Sequence, residues 1–479
     1  MTLKLFNTLT NKKEKFIPIK KDQVGIYSCG PTVYWNQHIG HMYAYVQWDL
    51  LVRSLNYLGY KTKWVMNLTD VGHLTGDNEG NADTGEDKME KGAQREKLSV
   101  WEIADKYIAQ FKESLRLLNI RTPDVLCRAT ENIPEQIDLI KKIEKNGFAY
   151  RTKTGLVFDT AKFLGYANFA HLNLEDQEAG SRIEVDKEKK KPWDFLLWIT
   201  NQPNHIMKWE SPWGIGFPGW HIECTAMSTK YLGEIFDIHT GGKEHISVHH
   251  TNEIAQGFGA FGHQTANYWL HNEWLSFDGQ KMSKSGGNSI LASDLIEKSF
   301  DPLSLRYLIM TTHYKTGLNF TWESLAGAQT AYFRLKEFVA NLKKETSKSP
   351  IEIDKEVFEK NKKEFMECLA DDLNIAKAIG LVWQIVKSKE INSKTKIALI
   401  LDFDKVLRLN LTEAISQKDA LNEMATSALG REILELKKER DVARQEKNWQ
   451  KSDELRKEIE REGYILEDKN GESIIKKRV

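Results

Sequence analysis

The opening part of the chain alternates apolar runs with polar segments in the order strand, helix, strand. Residues 24–29 are typical of a short buried strand, residues 38–58 carry apolar side chains at helical spacing, and residues 62–68 predict a second strand. A strand, a crossover helix and a parallel strand form a right-handed unit. The pattern therefore predicts an α/β fold built on a Rossmann-like, doubly wound parallel sheet.

The middle of the chain predicts a domain inserted into that sheet. A helix is expected over residues 134–146 and a strand pair over residues 150–158. The Rossmann-like pattern resumes at Gly219, with a strand at residues 235–239 and a helix that carries residues 249–256. The sheet is therefore expected to be split in sequence by the insertion.

The C-terminal part of the chain is helical and then highly charged. Amphipathic stretches predict a helix bundle, at residues 325–344, 354–368, 375–387 and 394–407. The tail ends with Asn470-Gly471 between two apolar-rich segments, which predicts a hairpin in a small α+β domain. We expect the two halves of the Rossmann domain at residues 1–127 and 213–300, the inserted domain at 128–212, the helical region at 301–410 and the C-terminal domain at 411–479.

Composition narrows the class of protein. The 479 residues include 68 Lys plus Arg and 68 Asp plus Glu, so the formal net charge is zero and any surface for nucleic acid must be local. We expect a cytoplasmic protein, because no secretory signal and no run of about 18 apolar residues is visible. The four cysteines do not suggest a disulfide framework. Cys127 and Cys368, which have no ligand-like neighbours, are expected to serve packing.

The motif His38-Ile39-Gly40-His41 has the residue types of a phosphate-binding helix start. His38 and His41, three residues apart, are expected on one face at a helix N-terminus, where free N–H groups and the helix dipole favour phosphate. Gly40 has no side chain that would keep an adenine away. The motif alone is weak, since histidines also occur at helix starts for packing reasons.

A second motif, Lys281-Met282-Ser283-Lys284-Ser285, is much rarer and lies between glycines. Lys281 and Lys284 can be brought onto phosphates when such a loop closes. The two motifs in this order, separated by an α/β stretch, predict a site that activates a carboxylate with ATP. We find no P-loop, the usual alternative cradle for phosphates.

Cys29, Cys224, His249 and Glu253 have the donor types of a zinc site. His249 and Glu253 are four residues apart on a predicted helix, which places both on one face. Two thiolates, an imidazole and a carboxylate would complete a tetrahedral set. The alternative is a pair of buried cysteines beside a solvated helix face. Other histidines could take the place of His249, namely His221, His239, His245 and His250.

Residues 27–34, 218–224 and 249–256 resemble signature blocks of the cysteinyl-tRNA synthetases, which are class I aminoacyl-tRNA synthetases. The resemblance runs from end to end. It implies a monomer that uses ATP with Mg²⁺ to ligate L-cysteine to tRNA(Cys) through a cysteinyl-adenylate. It also implies that Cys29, Cys224, His249 and Glu253 hold Zn²⁺, which would bind the substrate thiol. Packing alone separates cysteine from serine by only roughly 1–3 kcal/mol, whereas zinc prefers sulfur.

The resemblance implies roles for individual residues. The catalytic residues that it implies are His38, His41, Lys281 and Lys284. The implied ATP site also contains Gly40, Glu244 and Ser283. The implied cysteine pocket is lined by Thr69 and Trp220. The implied tRNA contacts are Arg444, Asp453 and Asp468, in an anticodon-binding domain at residues 411–479.

The chain departs from the family pattern at several positions. Trp35 and Glu244 stand where aspartate is common, and Ile199 stands where lysine is frequent. Residues 76–92, rich in Gly, Asp and Glu, predict a surface loop in place of a common acidic motif. The role of this loop is left open.

Other functions remain as alternatives. A related ligase joins cysteine to an amino sugar, but such relatives lack the tail that begins near residue 425. A non-catalytic RNA-binding paralogue would not need both intact motifs. A methionyl enzyme shares the motifs, but Cys29 and Cys224 favour a thiol substrate.

Overall fold

The computed structural model describes residues 1–72, 74, 86–170, 188–282, 289–346, 351–413, 428–446, 448–469 and 472–477. The strands are, in chain order, β1 (Lys4–Asn7), β2 (Lys12–Lys15), β3 (Gln23–Ser28), β4 (Lys61–Leu68), β5 (Val125–Arg128), β6 (Ala149–Arg151), β7 (Gly155–Phe158), β8 (Phe195–Thr200), β9 (Gly216–Pro218), β10 (Phe236–Gly242), β11 (Ala266–Asn272), β12 (Leu275–Phe277), β13 (Gln280–Lys281), β14 (Leu318–Phe320), β15 (Tyr464–Lys469) and β16 (Glu472–Lys477).

The α-helices carry most of the remaining described residues. They are α1 (Ile39–Tyr57), α2 (Lys88–Glu96), α3 (Val100–Leu117), α4 (Ile133–Lys145), α5 (Trp220–Leu232), α6 (Thr251–Phe261), α7 (Ala292–Glu297), α8 (Pro302–Met310), α9 (Trp322–Thr346), α10 (Lys355–Ala370), α11 (Ile375–Lys387), α12 (Ser393–Leu407), α13 (Ala428–Gln445) and α14 (Trp449–Arg461). Short 3₁₀ turns lie at Thr130–Asn132, Thr160–Lys162 and Lys243–His245, and a π-helical turn lies at Ile246–His250.

The central sheet has five strands in the order β11-β10-β3-β4-β5, and every neighbouring pair is parallel. The chain builds outwards from β3 to β4 and β5 in one direction, and from β10 to β11 in the other. The order of connection therefore reverses between β3 and β10. In open parallel sheets, such a switch point opens a crevice at the carboxyl ends of the strands, where ligands bind.

Helix α1 crosses from β3 to β4 and is buried over most of its length. Its side chains are apolar on nearly all faces, and Trp48 is 1% exposed. A helix that is apolar all round belongs in the interior of a large domain. The His38 ring nitrogen Nδ1 accepts a hydrogen bond from the backbone N–H of Gly40 at 3.1 Å, so the first histidine of the motif caps this helix.

The inserted segment forms its own sheet and core. Strands β6-β7-β8-β9 pair antiparallel in sequence order, and α4 packs nearby against α5 and α6. Phe158 and Phe195 stack with ring centroids 4.9 Å apart in this second core. The insertion thus buries its own apolar face beside the parallel sheet.

The rest of the described chain adds a helical region and a small terminal unit. A three-stranded sheet in the order β13-β12-β14 leads into helices α8 to α12. The N-terminal hairpin of β1 and β2 reaches this region, since the Phe6 N–H donates to Asp372 at 2.8 Å. Helices α13 and α14 pack with the β15–β16 hairpin around Ile433, Ile459 and Leu466.

The expected fold class is confirmed: a parallel α/β sheet, an inserted unit, a helical region and a terminal α+β unit. The exact domain boundaries stay a prediction. The expectation for residues 76–92 was wrong in part, because Lys88 to Gly92 belong to α2, which Asp87 caps. Residues 75–85 of that loop lie outside the described part. Within the described part, we find no helix with the length and apolar content that a bilayer crossing requires.

Candidate metal centre and nucleotide site

The carboxyl ends of β3 and β10 bring a set of metal-ligand side chains into the crevice at the switch point. Cys29 follows β3 directly, and its backbone N–H donates to Thr240 of β10 at 3.1 Å. Cys224 comes from the first turns of α5, which packs against β3 and β4. His249 and Glu253 come from the helical segment that follows β10. Three separate parts of the chain thus meet at one point.

Cys29, Cys224, His249 and Glu253 form a buried tetrad, with one ligand atom of each within 4.8 Å of those of the other three. His249 Nε2 lies 3.0 Å from Glu253 Oε1, and Cys29 Sγ lies 3.9 Å from the same oxygen. Their exposed fractions are 8% for Cys29 and at most 1% for the others. The sequence-predicted ligands are therefore brought together, and their role as ligands stays a prediction.

The local backbone explains how His249 and Glu253 reach one another. Residues Ile246–His250 form a π-helical turn that continues into α6. A π turn adds one residue per turn and occurs frequently at functional sites. The expected regular helix at His249 is thus replaced by a wider turn, which places both His249 and His250 in the buried interior.

A second tetrad shares two of these residues: Cys29, His239, His250 and Glu253. His239 Nε2 lies 2.9 Å from Glu253 Oε2, and His250 Nε2 lies 3.2 Å from Cys29 Sγ. Of the rival histidines, His239 and His250 therefore remain geometrically possible ligands. His221 contacts His249 instead, with their Nδ1 atoms 2.9 Å apart.

The pKa values of the four side chains in the first tetrad are strongly shifted. Burial raises the pKa of the Cys29 thiol to about 11 and that of Cys224 well above its usual range. Burial opposes a charge on His249, but the carboxylate of Glu253 beside it outweighs this and raises the pKa of His249 to about 10. Burial likewise opposes ionisation of Glu253, yet His239 and His249 lower its pKa to about 2.

The donor chemistry of the first tetrad fits zinc. Two sulfurs, one imidazole nitrogen and one carboxylate oxygen are ligand types that Zn²⁺ takes in tetrahedral sites. Hard cations such as Mg²⁺ prefer oxygen ligands only. The Nδ1 atom of His249 faces His221, while its Nε2 atom faces the tetrad. A metal-binding histidine commonly has such a partner on its other nitrogen.

The two residues expected to line the amino-acid pocket lie close to this tetrad. The Trp220 indole stacks on the His249 ring, with centroids 4.3 Å apart and planes at 26°. The Thr69 hydroxyl donates to Glu223 Oε2 at 3.1 Å, and Thr69 Oγ1 accepts from Asn67 Nδ2 at 3.0 Å. Sequence reasoning missed Glu223. Its signal was a carboxylate directly between the apolar Ile222 and Cys224 in a helix start.

The two nucleotide motifs meet in space. The rings of His38 and His41 lie with centroids 3.8 Å apart at the start of α1. A Cβ on Gly40 would lie 3.9 Å from Met282 Sδ of the second motif. The Ile39 N–H donates to the carbonyl of Ile290 at 2.7 Å, so the chain beyond the second motif also pairs with the first. The structure thus places Met282 of the second motif beside the first motif.

Parts of the nucleotide and tRNA predictions lie outside the described residues. Ser283 and Lys284 are not described, and of Lys281 only the backbone is described, in β13. Asp468 lies in β15, where only its backbone pairing with Ser473 is described. Their predicted roles stay predictions.

The other predicted tRNA residues lie on the helices of the C-terminal unit. Arg444 donates to Ser473 Oγ of β16 at 3.3 Å. The same hydroxyl donates to Asp441 at 2.6 Å. Asp453 is exposed on α14. Arg444 is thus fixed against the hairpin, and Asp453 presents a carboxylate at the surface.

The structure shows the surroundings of the residues that depart from the family pattern. Glu244 Oε2 accepts from the indole Nε1 of Trp274 at 2.8 Å. The guanidinium of Arg95 in α2 lies 3.7 Å from the centre of the Trp35 ring. Ile199 is 2% exposed in β8 of the insertion. The tryptophan at position 35 therefore couples the start of the first motif to helix α2.

Comparison with known proteins adds independent information. Residues 15–330 match the family described as tRNA synthetases class I (C) catalytic domain. A cysteine–tRNA ligase of Treponema denticola is 44% identical over 501 aligned positions, covering 100% of both chains. A cysteine–tRNA ligase of Burkholderia lata is 42% identical, covering 98% of this chain and 95% of the relative. A cysteine–tRNA ligase of Thermus thermophilus is 38% identical, covering 98% of both.

Solved structures support the same fold. The structure of Mycobacterium tuberculosis methionyl-tRNA synthetase in complex with methionyl-adenylate superposes with a TM-score of 0.57. The match covers 86% of this chain and 93% of that chain at 14% sequence identity. At this identity, the likeness concerns the fold alone.

Proposed function

The chain belongs to the cysteine–tRNA ligase family of class I tRNA synthetases, and we propose that it joins L-cysteine to tRNA(Cys) through a cysteinyl-adenylate, with a zinc site that recognises the substrate thiol. The observation that carries the proposal is the buried tetrad of Cys29, Cys224, His249 and Glu253 at the switch point of the sheet. The family membership sets the reaction class, and the tetrad supports how cysteine is selected.

Zinc bound at the tetrad would supply a thiophilic Lewis acid, which holds a thiol sulfur far better than a serine hydroxyl. The residues around the tetrad contribute to the selection of the amino-acid side chain. Trp220 covers His249 and limits the size of the side chain that can enter. Because the chemistry of the donors separates sulfur from oxygen, discrimination against serine requires no second, editing site.

The proposed activation step begins with attack by a carboxylate oxygen of cysteine on the α-phosphorus of ATP. The bond from that phosphorus to the bridging oxygen breaks, and pyrophosphate leaves with Mg²⁺. His38 and His41, paired at the start of α1, stabilise the negative charge that develops on the phosphates. Lys281 and Lys284 are proposed to act on the same charge, and Gly40 leaves space for the nucleotide. Glu244 and Ser283 complete the proposed ATP site.

The proposed transfer step uses the terminal adenosine of tRNA(Cys). Its hydroxyl attacks the carbonyl carbon of the adenylate, an ester bond forms, and the bond from that carbon to the phosphate oxygen breaks. AMP leaves, and its phosphate takes the proton of the hydroxyl. Arg444, Asp453 and Asp468 are proposed to contact the anticodon, since carboxylates accept from base amino and imino groups and arginine pairs with base edges or phosphate. The helices and hairpin of the terminal unit support an RNA acceptor over an amino sugar.

Exchange of pyrophosphate into ATP tests the proposal. The protein should catalyse exchange that depends on cysteine and is undetectable with serine at equal concentration. With tRNA(Cys) added, it should form cysteinyl-tRNA. Absence of cysteine-dependent exchange would refute the proposal. Exchange followed by transfer only to an amino sugar would assign the other acceptor.

A further inference from the structure

Glu223 is a buried carboxyl group with one oxygen that no described residue hydrogen-bonds. It is 0% exposed and lies on α5 between Trp220 and Cys224. The hydroxyl of Thr69 donates to Oε2 at 3.1 Å, while Oε1 has no hydrogen-bond partner among the described residues. A buried carboxylate is costly unless a donor or a cation pairs with it. The described residues therefore leave one oxygen of this carboxyl group open to a donor from a bound molecule.

The hydrogen bonds of Thr69 show what its oxygen can still do. A hydroxyl has one proton to donate and two lone pairs that accept. The hydroxyl donates its proton in a hydrogen bond to Glu223, and one lone pair accepts a hydrogen bond from Asn67 Nδ2 at 3.0 Å. One acceptor position on Thr69 Oγ1 remains. As long as the hydroxyl donates to Glu223, the remaining lone pair of Thr69 Oγ1 can only accept a hydrogen bond.

The backbone places this hydroxyl beside the metal-ligand tetrad. The Thr69 N–H donates to the Pro31 carbonyl, and the Val33 N–H donates to the Thr69 carbonyl, both at 3.0 Å. Thr69 thus pairs with the segment that begins directly after Cys29. On its other side, Glu223 is one residue from Cys224 on α5. The pair therefore lies beside the two segments that carry Cys29 and Cys224.

Close packing holds Glu223 in this position. Gly72 has a φ of 71°, and a Cβ there would lie 2.6 Å from the Pro218 carbonyl oxygen and 3.2 Å from Glu223 Oε1. Only glycine fits this backbone conformation and this space without strain. The loop after β4 and the start of α5 are therefore tightly packed around the carboxylate.

We infer that Glu223 is a positioning residue for the α-ammonium group of the amino-acid substrate: it holds the Thr69 hydroxyl as an acceptor for that group. This inference rests on the proposed function, because it assumes that an amino acid is bound by its thiol at the tetrad. Three points then fix the substrate, namely the thiol, the ammonium group and the carboxylate that attacks ATP. Thiol acids without an ammonium group, such as 3-mercaptopropanoate, lack one of these points.

The test compares cysteine with 3-mercaptopropanoate in the wild-type enzyme and in Glu223→Gln. The glutamine has nearly the same shape but no charge, and its amide can donate to Thr69. We expect the KM for cysteine in pyrophosphate exchange to rise roughly 10- to 100-fold, as for the loss of a charged hydrogen bond. The inhibition constant of 3-mercaptopropanoate, the KM for ATP and the zinc content should stay within twofold of wild type.

Asp70→Asn provides the matched control. Asp70 is also fully buried, but its two oxygens accept from the backbone N–H and the hydroxyl of Thr130, at 3.0 and 2.7 Å. Its removal should leave the KM for cysteine near the wild-type value. If Asp70→Asn raised this KM as much as Glu223→Gln, the effect would be a general loss of buried charge, and the inference would be overturned.

Substitutions at Thr69 keep the inference testable if Glu223→Gln folds poorly. Thr69→Ser retains the hydroxyl and should bind cysteine like wild type, whereas Thr69→Val should show the same raised KM for cysteine with an unchanged inhibition constant for 3-mercaptopropanoate. Equal KM values for the serine and valine variants would overturn the inference. Failure of the wild-type enzyme to exchange with cysteine would instead refute the proposed function itself.

Discussion

Arg306 of α8 and Asp49 of α1 form a fully buried ion pair, with Nη2 2.6 Å from Oδ2 and both side chains 0% exposed. The remaining donors of Arg306 bind backbone carbonyls from two other elements, at Leu407 (2.7 Å) and Leu118 (3.1 Å). One guanidinium thus joins the helix that starts with His38 to the helical region after the sheet. The pair holds α1 in a fixed relation to the helical region.

Replacement of Arg306 by leucine should strongly destabilise the protein. Removal of one partner leaves a buried carboxylate with less compensation, at a cost of about 3–5 kcal/mol. The urea midpoint of unfolding should fall accordingly, and the double variant Asp49→Leu/Arg306→Leu should recover part of the loss. Arg116→Leu, which removes the exposed pair with Glu113, should leave the midpoint unchanged. Equal midpoints for the two single variants would contradict the structural role of the buried pair.

Asp87 should make the stability of the protein depend on pH. Burial raises its pKa to about 6, although its Oδ1 caps α2 by accepting from the Glu90 N–H. A carboxyl with a raised folded-state pKa stabilises most below its unfolded pKa near 4, and this stability is lost as the pH rises through 6. Asparagine caps equally well without the charge.

At about pH 8, the free energy of unfolding of Asp87→Asn should therefore exceed that of wild type by up to about 3 kcal/mol, so its urea midpoint should be higher. At about pH 4, the two proteins should have the same midpoint. The comparison of the two midpoints at each pH is the measurement. A stabilisation of equal size at both values would show that the carboxyl is not responsible.

A methyl group at position 40 should weaken ATP binding. A Cβ on Gly40 would lie 2.9 Å from the His38 ring, which caps the helix, and 3.9 Å from Met282 Sδ of the second motif. We expect Gly40→Ala to raise the KM for ATP in the exchange reaction at least tenfold while zinc stays bound. Gly327→Ala is the control, since a Cβ there meets nothing within 4 Å on α9. Unchanged ATP kinetics in Gly40→Ala would remove this residue from the proposed site.

Cys224→Ser should lower the zinc content well below one ion per chain, because the serine hydroxyl is a poor zinc ligand. Cys127→Ser offers a matched control, as Cys127 is also buried but donates to the Met66 carbonyl, outside both tetrads. Metal analysis after dialysis would compare the two. Full zinc occupancy in Cys224→Ser would exclude Cys224 as a ligand and favour the tetrad that contains His239 and His250.

The sequence was sufficient to predict those features whose signal is a local pattern of apolar residues or a rare motif. The strand before Cys29 and the helix after His38 follow from periodicity, and the two nucleotide motifs could be paired by their order along the chain. Helix α2 was missed because its face is mostly polar, with only Met89 and Ala93 as buried apolar side chains. A carboxylate cap at Asp87 with Glu90 three residues later was the signal that could have located it.

The surroundings of the tetrad could not be predicted in the same way. His239 of β10 lies 2.9 Å from Glu253 of α6, and His221 of α5 lies 2.9 Å from His249 of the π-helical turn. Such pairings depend on how distant segments pack, and no spacing in the sequence encodes them. The wide π turn at Ile246–His250 is likewise invisible to a pattern of apolar positions.

X-ray absorption at the zinc edge counts the sulfur atoms bound to the metal, so it shows whether the metal holds the substrate thiol. In the purified enzyme, we predict two sulfur ligands at about 2.3 Å, from Cys29 and Cys224. Saturating cysteine should raise the number to three, while serine should leave it at two. A sulfur count that does not change when cysteine binds would contradict the claim that the metal holds the substrate thiol.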